Sequence, residues 1–367
     1  AYEELTSNHS ALGILLGYNS ESSERLRHSI ELNEGFERMP GTPVLGFIGA
    51  GNYASRILIP AFKRSDAELD TLVTANGINS VIHGTKAGFS KASSNVDDML
   101  QDPAINTIVV ATQHNSHAKY VEEALNCGKN VWVEKPLALD REGLLAVEAA
   151  YTKAHEHSGY TKAGPQLMVG FNRRFSPQIQ KMHSLLSKVD EPKSLIMTIN
   201  AGHIPKEHWT QDSLKGGGRI IGECCHFIDL ARFLVGSQIT SINGQAMTSK
   251  ASRETLLDQS SITLGFEDGS WGTILYLANG ASNFPKERIE VFSAGRVLQL
   301  DNFRKLKGFG WKGFKKLNLW SQDKGQEACV QAFINALKSG VPCIPIDEIF
   351  EVARATIEAN DILLKSQ

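Results

Sequence analysis

Gly46-Phe-Ile-Gly49-Ala-Gly51-Asn-Tyr-Ala54 has the makings of a phosphate cradle. Gly49 permits a tight turn, Gly51 lets the backbone approach a pyrophosphate, and Ala54 allows a following helix to pack close to the preceding strand. Asn52 and Tyr53 stand in the same turn. A helix starting there offers free N–H groups and a positive dipole end to bound phosphate. Four polar clusters follow: Ala111 to His117, Val133-Glu134-Lys135-Pro136, Gly170 to Phe175, and Gly216 to Asp229. Lys135 and His226 among them suit the oxidation of a secondary alcohol. A neutral imidazole can take the hydroxyl proton, and an ammonium can steady the developing alkoxide as a hydride leaves.

Such residues act only if the chain brings them together, and the apolar pattern says how. Val44–Ile48, Thr71–Thr74, Thr107–Ala111, Val131–Val133 and Leu167–Gly170 are short continuous apolar runs, the pattern of strands buried on both faces. Helical stretches such as Ala118–Leu125 and Glu142–Ala154 separate them. This alternation predicts a doubly wound parallel sheet, a Rossmann arrangement, over residues 43–172. Pro60 falls inside the helix after the glycine turn and should kink or shorten it.

After Asn172 the period changes to two. Ser194–Asn200, Ser260–Phe266, Trp271–Leu277 and Arg288–Ser293 alternate, and Asp268-Gly269 is a hairpin signal. Residues 173–367 thus form an α/β substrate and oligomerisation domain on a large, mainly antiparallel, open-faced sheet. It ends in helices near Gln322–Leu337 and Ile346–Leu364. The lysine-rich stretch from Phe303 to Lys316 is expected to be a surface loop.

Ligands of open α/β sheets collect beyond the carboxyl ends of the strands. That places Thr112, His114, His117, Glu134 and Lys135 beside a bound dinucleotide. The second strand ends Val73-Thr74-Ala75-Asn76-Gly77, without the usual acid for the ribose 2′-hydroxyl, and Asp70 sits at the wrong end. Asn76 can hydrogen-bond the ribose instead. NAD and NADP both stay open as cofactors.

The Glu-Lys-Pro after a buried strand, together with the downstream Gly-Gly-Gly and His-x-x-Asp, resembles the glucose–fructose oxidoreductase, inositol dehydrogenase and MocA family over residues 43 to about 360. The resemblance implies that Lys135 lies beside nicotinamide and substrate, with a cis Lys-Pro bond, and that His226 is the acid/base. An Asp four residues before that histidine commonly assists in the family; here the position is Gly222. Glu223, one residue on, is the candidate replacement. Asn172, Arg173, His203 and Trp209 are expected at the substrate, with Arg173 able to bind a carboxylate or phosphate in bidentate fashion.

Composition narrows the function classes. Net charge is −2 over 367 residues, which argues against a broad basic face for nucleic acid. No apolar run is long enough to span a membrane. Five cysteines, two of them the adjacent Cys224 and Cys225, suit a reducing compartment, and a cytoplasmic location is expected. His203, His208, Cys224, Cys225 and His226 lack zinc-ligand spacing, so no metal is expected. Residues 1–42, with one apolar run at Ala11–Tyr18, cannot bury a core. They look like the tail of a fused upstream domain similar to a medium-chain alcohol dehydrogenase. A homodimer or homotetramer is expected.

These features predict an NAD(P)-dependent oxidoreductase acting on a secondary alcohol of a sugar, sugar nucleotide or cyclic polyol. Two alternatives keep the same fold. One is an NAD-assisted sugar hydrolase or epimerase with transient oxidation. The other is a non-catalytic, dinucleotide-gated sensor.

Overall fold

A computed structural model describes residues 27–33, 41–158, 164–250 and 255–365. The apolar run Ala11–Tyr18 lies outside the described residues. Among the described residues, seven strands build the first sheet: β1 (Ser29–Glu31), β2 (Val44–Ile48), β3 (Glu68–Val73), β4 (Lys91–Ser93), β5 (Thr107–Val110), β6 (Asn130–Val133) and β7 (Leu167–Val169). Their order is β1-β4-β3-β2-β5-β6-β7, and β2 to β7 are parallel. The order reverses at β2 and β5, so the crevice opens where β2 ends in the glycine turn.

The strands are apolar because both faces are covered. Leu45, Phe47, Ile108, Val109, Val110, Val131 and Val133 are fully buried. β3 starts at Glu68, earlier than its apolar run suggests, because Glu68 and Asp70 are buried within it. The polar segment before Pro43 adds β1 to the sheet edge, pairing antiparallel with β4.

Eight strands among the described residues build the second sheet: β8 (Ser194–Asn200), β9 (Ile239–Thr248), β10 (Thr255–Phe266), β11 (Trp271–Leu277), β12 (Glu287–Ser293), β13 (Arg296–Asp301), β14 (Lys305–Phe309) and β15 (Lys316–Asn318). They run β15-β14-β13-β12-β8-β11-β10-β9, antiparallel except for the parallel pair β8–β11. Leu195, Met197 and Ile199 of β8 are fully buried, while Ile196 and Thr198 are half-buried on the other face. The helices Cys225–Val235 and Ile346–Lys365 contribute buried residues such as Phe227, Ile228, Leu230 and Val352 to the same core.

The stretch read as a loop from Phe303 to Lys316 is corrected here, since it contains β14 and the start of β15. Leu306 is fully buried, and Lys305 and Lys307 flank it on the solvent side. Lysines facing water near a sheet edge deter pairing with other chains, and they mask the strand in a search for apolar alternation.

Among the described residues, two helices open with a wide i→i+5 turn, Ala54–Leu58 and Ile220–Cys224. The first precedes Pro60, which has no N–H to return to the Arg56 carbonyl. The expected kink therefore takes the form of a widened turn directly behind the glycine cradle. The second lies within the cluster that carries Gly222, Glu223 and His226.

Candidate active site

The two domains share one cleft of about 1360 Å³. Ligand pockets for small molecules run to about 1,000 Å³, so this one has room for a dinucleotide and a second molecule. Its walls include Gly49, Gly51, Asn52, Tyr53, Ala54, Asn76, Thr112, His114, His117, Glu134, Lys135, Asn172, Arg173, Trp209, Glu223 and His226. His203 is the exception among the expected residues. It is exposed and off the cleft wall, where Ile204, His208 and Thr210 stand instead.

At one end the glycine turn fits a pyrophosphate. A Cβ built on Gly51 meets no atom within 4 Å, so the space above the turn is open. Gly49 has φ +103°, and its N–H donates to Val73 O at 2.9 Å. The ribose end is neutral on the wall: Asn76, Asn79 and Ser94 line it. Asn76 Oδ1 accepts from the Asn79 N–H at 3.4 Å.

Lys135 and His226 stand at the other end. The Lys135–Pro136 peptide is cis. Lys135 Nζ donates to Gly222 O at 2.7 Å, so the carbonyl of the widened turn sets the ammonium's position. His226 is 4% exposed, and its Nδ1 is enclosed without a hydrogen-bond partner among the described residues. Burial, helped by Arg173, Lys135, Lys324 and Lys286, pushes the His226 imidazole well below its usual range and keeps it neutral.

Glu134 supports this end from beneath. Burial pushes its carboxyl up to about 7 against the opposing pull of Lys135 and the Trp132 N–H, which donates to it at 3.3 Å. Gly170 makes room for it, since a Cβ there would lie 2.7 Å from Glu134 Oε1.

Two of the expected residues are engaged by other partners. His117 stands on the cleft wall but is almost wholly enclosed, with Nδ1 2.7 Å from Pro136 O and Nε2 3.2 Å from Thr112 O. Burial holds it neutral, down to about 4, so it has one N–H to donate between the two carbonyls. It tethers the segment that carries Lys135.

Glu223 was expected to act in catalysis. Its Oε2 instead accepts from Arg219 and from the Tyr276 hydroxyl, both at 2.6 Å, and its Oε1 from Lys286 at 3.2 Å. Lys286 and Arg219 hold the carboxylate well below its usual range despite its burial. A carboxylate so held has no proton to trade, and it makes no hydrogen bond to His226. The i→i+5 turn also alters the angular spacing on which the sharing of a helix face depends.

His114 occupies the room that a side chain at Gly222 would need. A Cβ on Gly222 would lie 3.0 Å from His114 Cε1 and 3.2 Å from Gly216 O. The ring is pinned, with Nδ1 donating to Gly216 O at 2.8 Å and Trp209 packed edge-on at 4.8 Å. Burial, with Lys135 and His117 adding, lowers the His114 pKa to about 3. Gly222→Asp is therefore expected to destabilise the protein by about 1–3 kcal/mol through overpacking. Combining it with His114→Ala should recover much of that loss, and urea denaturation of the four proteins in the cycle measures it. Equal midpoints for wild type and Gly222→Asp would refute the steric account.

Sequence reasoning missed the part of the wall that comes from far along the chain. Lys324 and Gln326 reach the cleft from the start of the last helical pair. Asn172 Nδ2 donates to Lys324 O at 2.7 Å, and Gly325, at φ +80°, packs so tightly that a Cβ would strike Asn172 O at 2.5 Å. An isolated glycine after a lysine was the only signal available.

Residues 44–160 match the oxidoreductase family with an NAD-binding Rossmann fold, Gfo/Idh/MocA, and residues 189–295 match the C-terminal domain of the same family. The chain belongs to the Gfo/Idh/MocA oxidoreductase family. It is 31% identical over 161 residues to the scyllo-inositol 2-dehydrogenase (NAD(+)) of Bacillus subtilis (strain 168), covering 43% of each chain. It is 26% identical over 225 residues to the myo-inositol 2-dehydrogenase of Thermotoga maritima, covering 60% of this chain and 63% of that one. The chain thus matches less than two thirds of these relatives' length. A structure of levoglucosan dehydrogenase with NADH and levoglucosan superposes with TM-score 0.74 at 19% identity, over 89% of this chain and 98% of that one. No helix among the described residues is long and apolar enough to cross a membrane.

Proposed function

We propose that the protein is an NAD-dependent dehydrogenase of a secondary alcohol on a sugar or cyclic polyol. One observation carries this reading: a single cleft joins the open glycine turn to Lys135 and His226. The inositol and levoglucosan dehydrogenases among its relatives point to the same substrate class. When bound, NAD would supply the hydride acceptor. Gly49, Gly51 and Ala54 would hold its pyrophosphate end, and Asn76 and Asn79 would face its ribose. His226, kept neutral, takes the hydroxyl proton. Lys135, fixed by Gly222 O, donates to the same oxygen and stabilises its developing negative charge. Asn172 and Arg173 edge the substrate space.

The test is stoichiometric. Purified protein given excess NAD and a panel of polyols and sugars is expected to form NADH in amounts equal to the oxidised product. Turnover of a sugar with no net NADH would instead favour transient oxidation ending in hydrolysis or epimerisation. NAD binding without turnover of any panel member would favour the sensor.

A further inference from the structure

Two carboxylates at the inner end of the cleft are each shared by two cations. Glu287 Oε1 accepts from Arg173 at 2.9 Å and from Lys324 at 3.0 Å. Glu223 accepts from Arg219 and Lys286. Each cluster is left with one surplus positive charge. Lys135 stands beside Glu134, whose carboxyl burial pushes up to about 7. The surplus is gathered around His226 in a chain whose net charge is −2.

The arrangement also has a direction. Arg173 and Lys324 lie on the cleft wall, whereas Glu287 is fully enclosed behind them and lies off the wall. The cations therefore face the cleft and their shared carboxylate does not. One cation would neutralise Glu287, so the second is more than the fold requires. Holding like charges together out of water is costly, and a walled cleft focuses their field on whatever enters. Lys324 is placed by design of the backbone, since Asn172 binds its carbonyl and Gly325 lets that loop press against residue 172.

We infer that the alcohol substrate carries an oxyanion, a carboxylate or phosphate ester on its polyhydroxylated frame, and that Lys324 with Arg173 receives it. This rests on the dehydrogenase reading for the chemistry but not for the charge. Arg173, with its carboxylate partner behind it, offers its remaining N–H groups to such an anion.

The experiment is calorimetry on the full chain loaded with NADH. The ligands are D-glucose, D-glucuronate and D-glucose 6-phosphate, with the three galactose counterparts. In each set the tighter-binding charged member is expected to exceed the neutral sugar by about tenfold or more, and whether that is the acid or the phosphate identifies the oxyanion. Lys324→Met should cut the advantage to about threefold or less. Lys286→Gln, at a residue 42% exposed, should cut it in part without threatening the core. Raising salt should weaken the charged ligands and spare the neutral ones. Neutral sugars binding as tightly as charged ones, or no charged member binding, would overturn the inference. The dehydrogenase reading fails separately. Charged ligands bound with no NADH formed from any substrate would leave the charge assignment standing and remove the chemistry. NADH formed from neutral sugars alone would do the reverse.

Discussion

His226→Ala and Lys135→Ala are each expected to lower turnover by about 10²–10⁴-fold, the usual contribution of a positioned proton-transfer group. Their reasons differ. Among the described residues no carboxylate orients His226: Nδ1 is enclosed without a partner there, Gly222 offers no side chain, and Glu223 is held by Arg219, Lys286 and Tyr276. Its proton affinity is set by burial and by the surrounding cations, both of which favour the neutral ring. Activity should therefore persist as pH falls through about 6.5, where an ordinary histidine would gain its proton. An acid limb at or above that pH that persists in Glu134→Gln, which removes the carboxyl pushed up to about 7 beside Lys135, would contradict the assignment. Lys135 acts through its reach from a fixed peptide, with His117 bonded to Pro136 O and Gly222 O bonded to the ammonium. Neither substitution touches the glycine turn, so NADH affinity measured by calorimetry should change far less than turnover. Either variant retaining full turnover would sink the role given to it.

The parts of this protein that could be read from sequence are those where one residue type has one physical use. Continuous apolar runs placed β2 to both ends and β5 to within one residue, and period-two alternation marked β8 and β11 residue for residue. Polar residues inside elements hid the rest. Glu68 and Asp70 obscured the start of β3, and Lys305 and Lys307 disguised β14 as a loop. The site divides along the same line. Side chains close in sequence to a strand end reach the cleft because the strand aims them there, and Lys135 is an instance. Lys324 arrives through tertiary packing alone, nearly 190 residues later in the chain (324 − 135 = 189). The crowding of position 222 by the His114 ring was equally invisible, because it depends on a contact between residues far apart in the chain.

Gly51→Val and Gly49→Ala should separate cofactor binding from folding, although the two glycines are neighbours in one motif. At Gly51 an added Cβ meets nothing within 4 Å, so the folded protein has room for a larger side chain. That same room is where a pyrophosphate would rest on the backbone. Gly51→Val is accordingly expected to keep wild-type stability and lose about two orders of magnitude or more in NADH affinity, equivalent to ~3 kcal/mol. Gly49 is the opposite case. Its φ of +103° is a conformation that side-chain-bearing residues rarely adopt, and a Cβ would lie 2.5 Å from Ala111 O. The atoms it meets, Ala111 O and C and Thr112 N, are all backbone just past the end of β5, held there by the Ala111 N–H to Ile48 O, while Gly49 itself is tied to β3 through Val73 O. They cannot step aside without breaking the sheet at the point where the crevice opens. Gly49→Ala should therefore cost about 2 kcal/mol or more from backbone strain and overlap. Urea midpoints and NADH titrations of both variants decide the matter. If Gly51→Val binds NADH like the wild type, the pyrophosphate does not lie over this turn. If Gly49→Ala matches wild-type stability, the turn is looser than its contacts with Ala111 require.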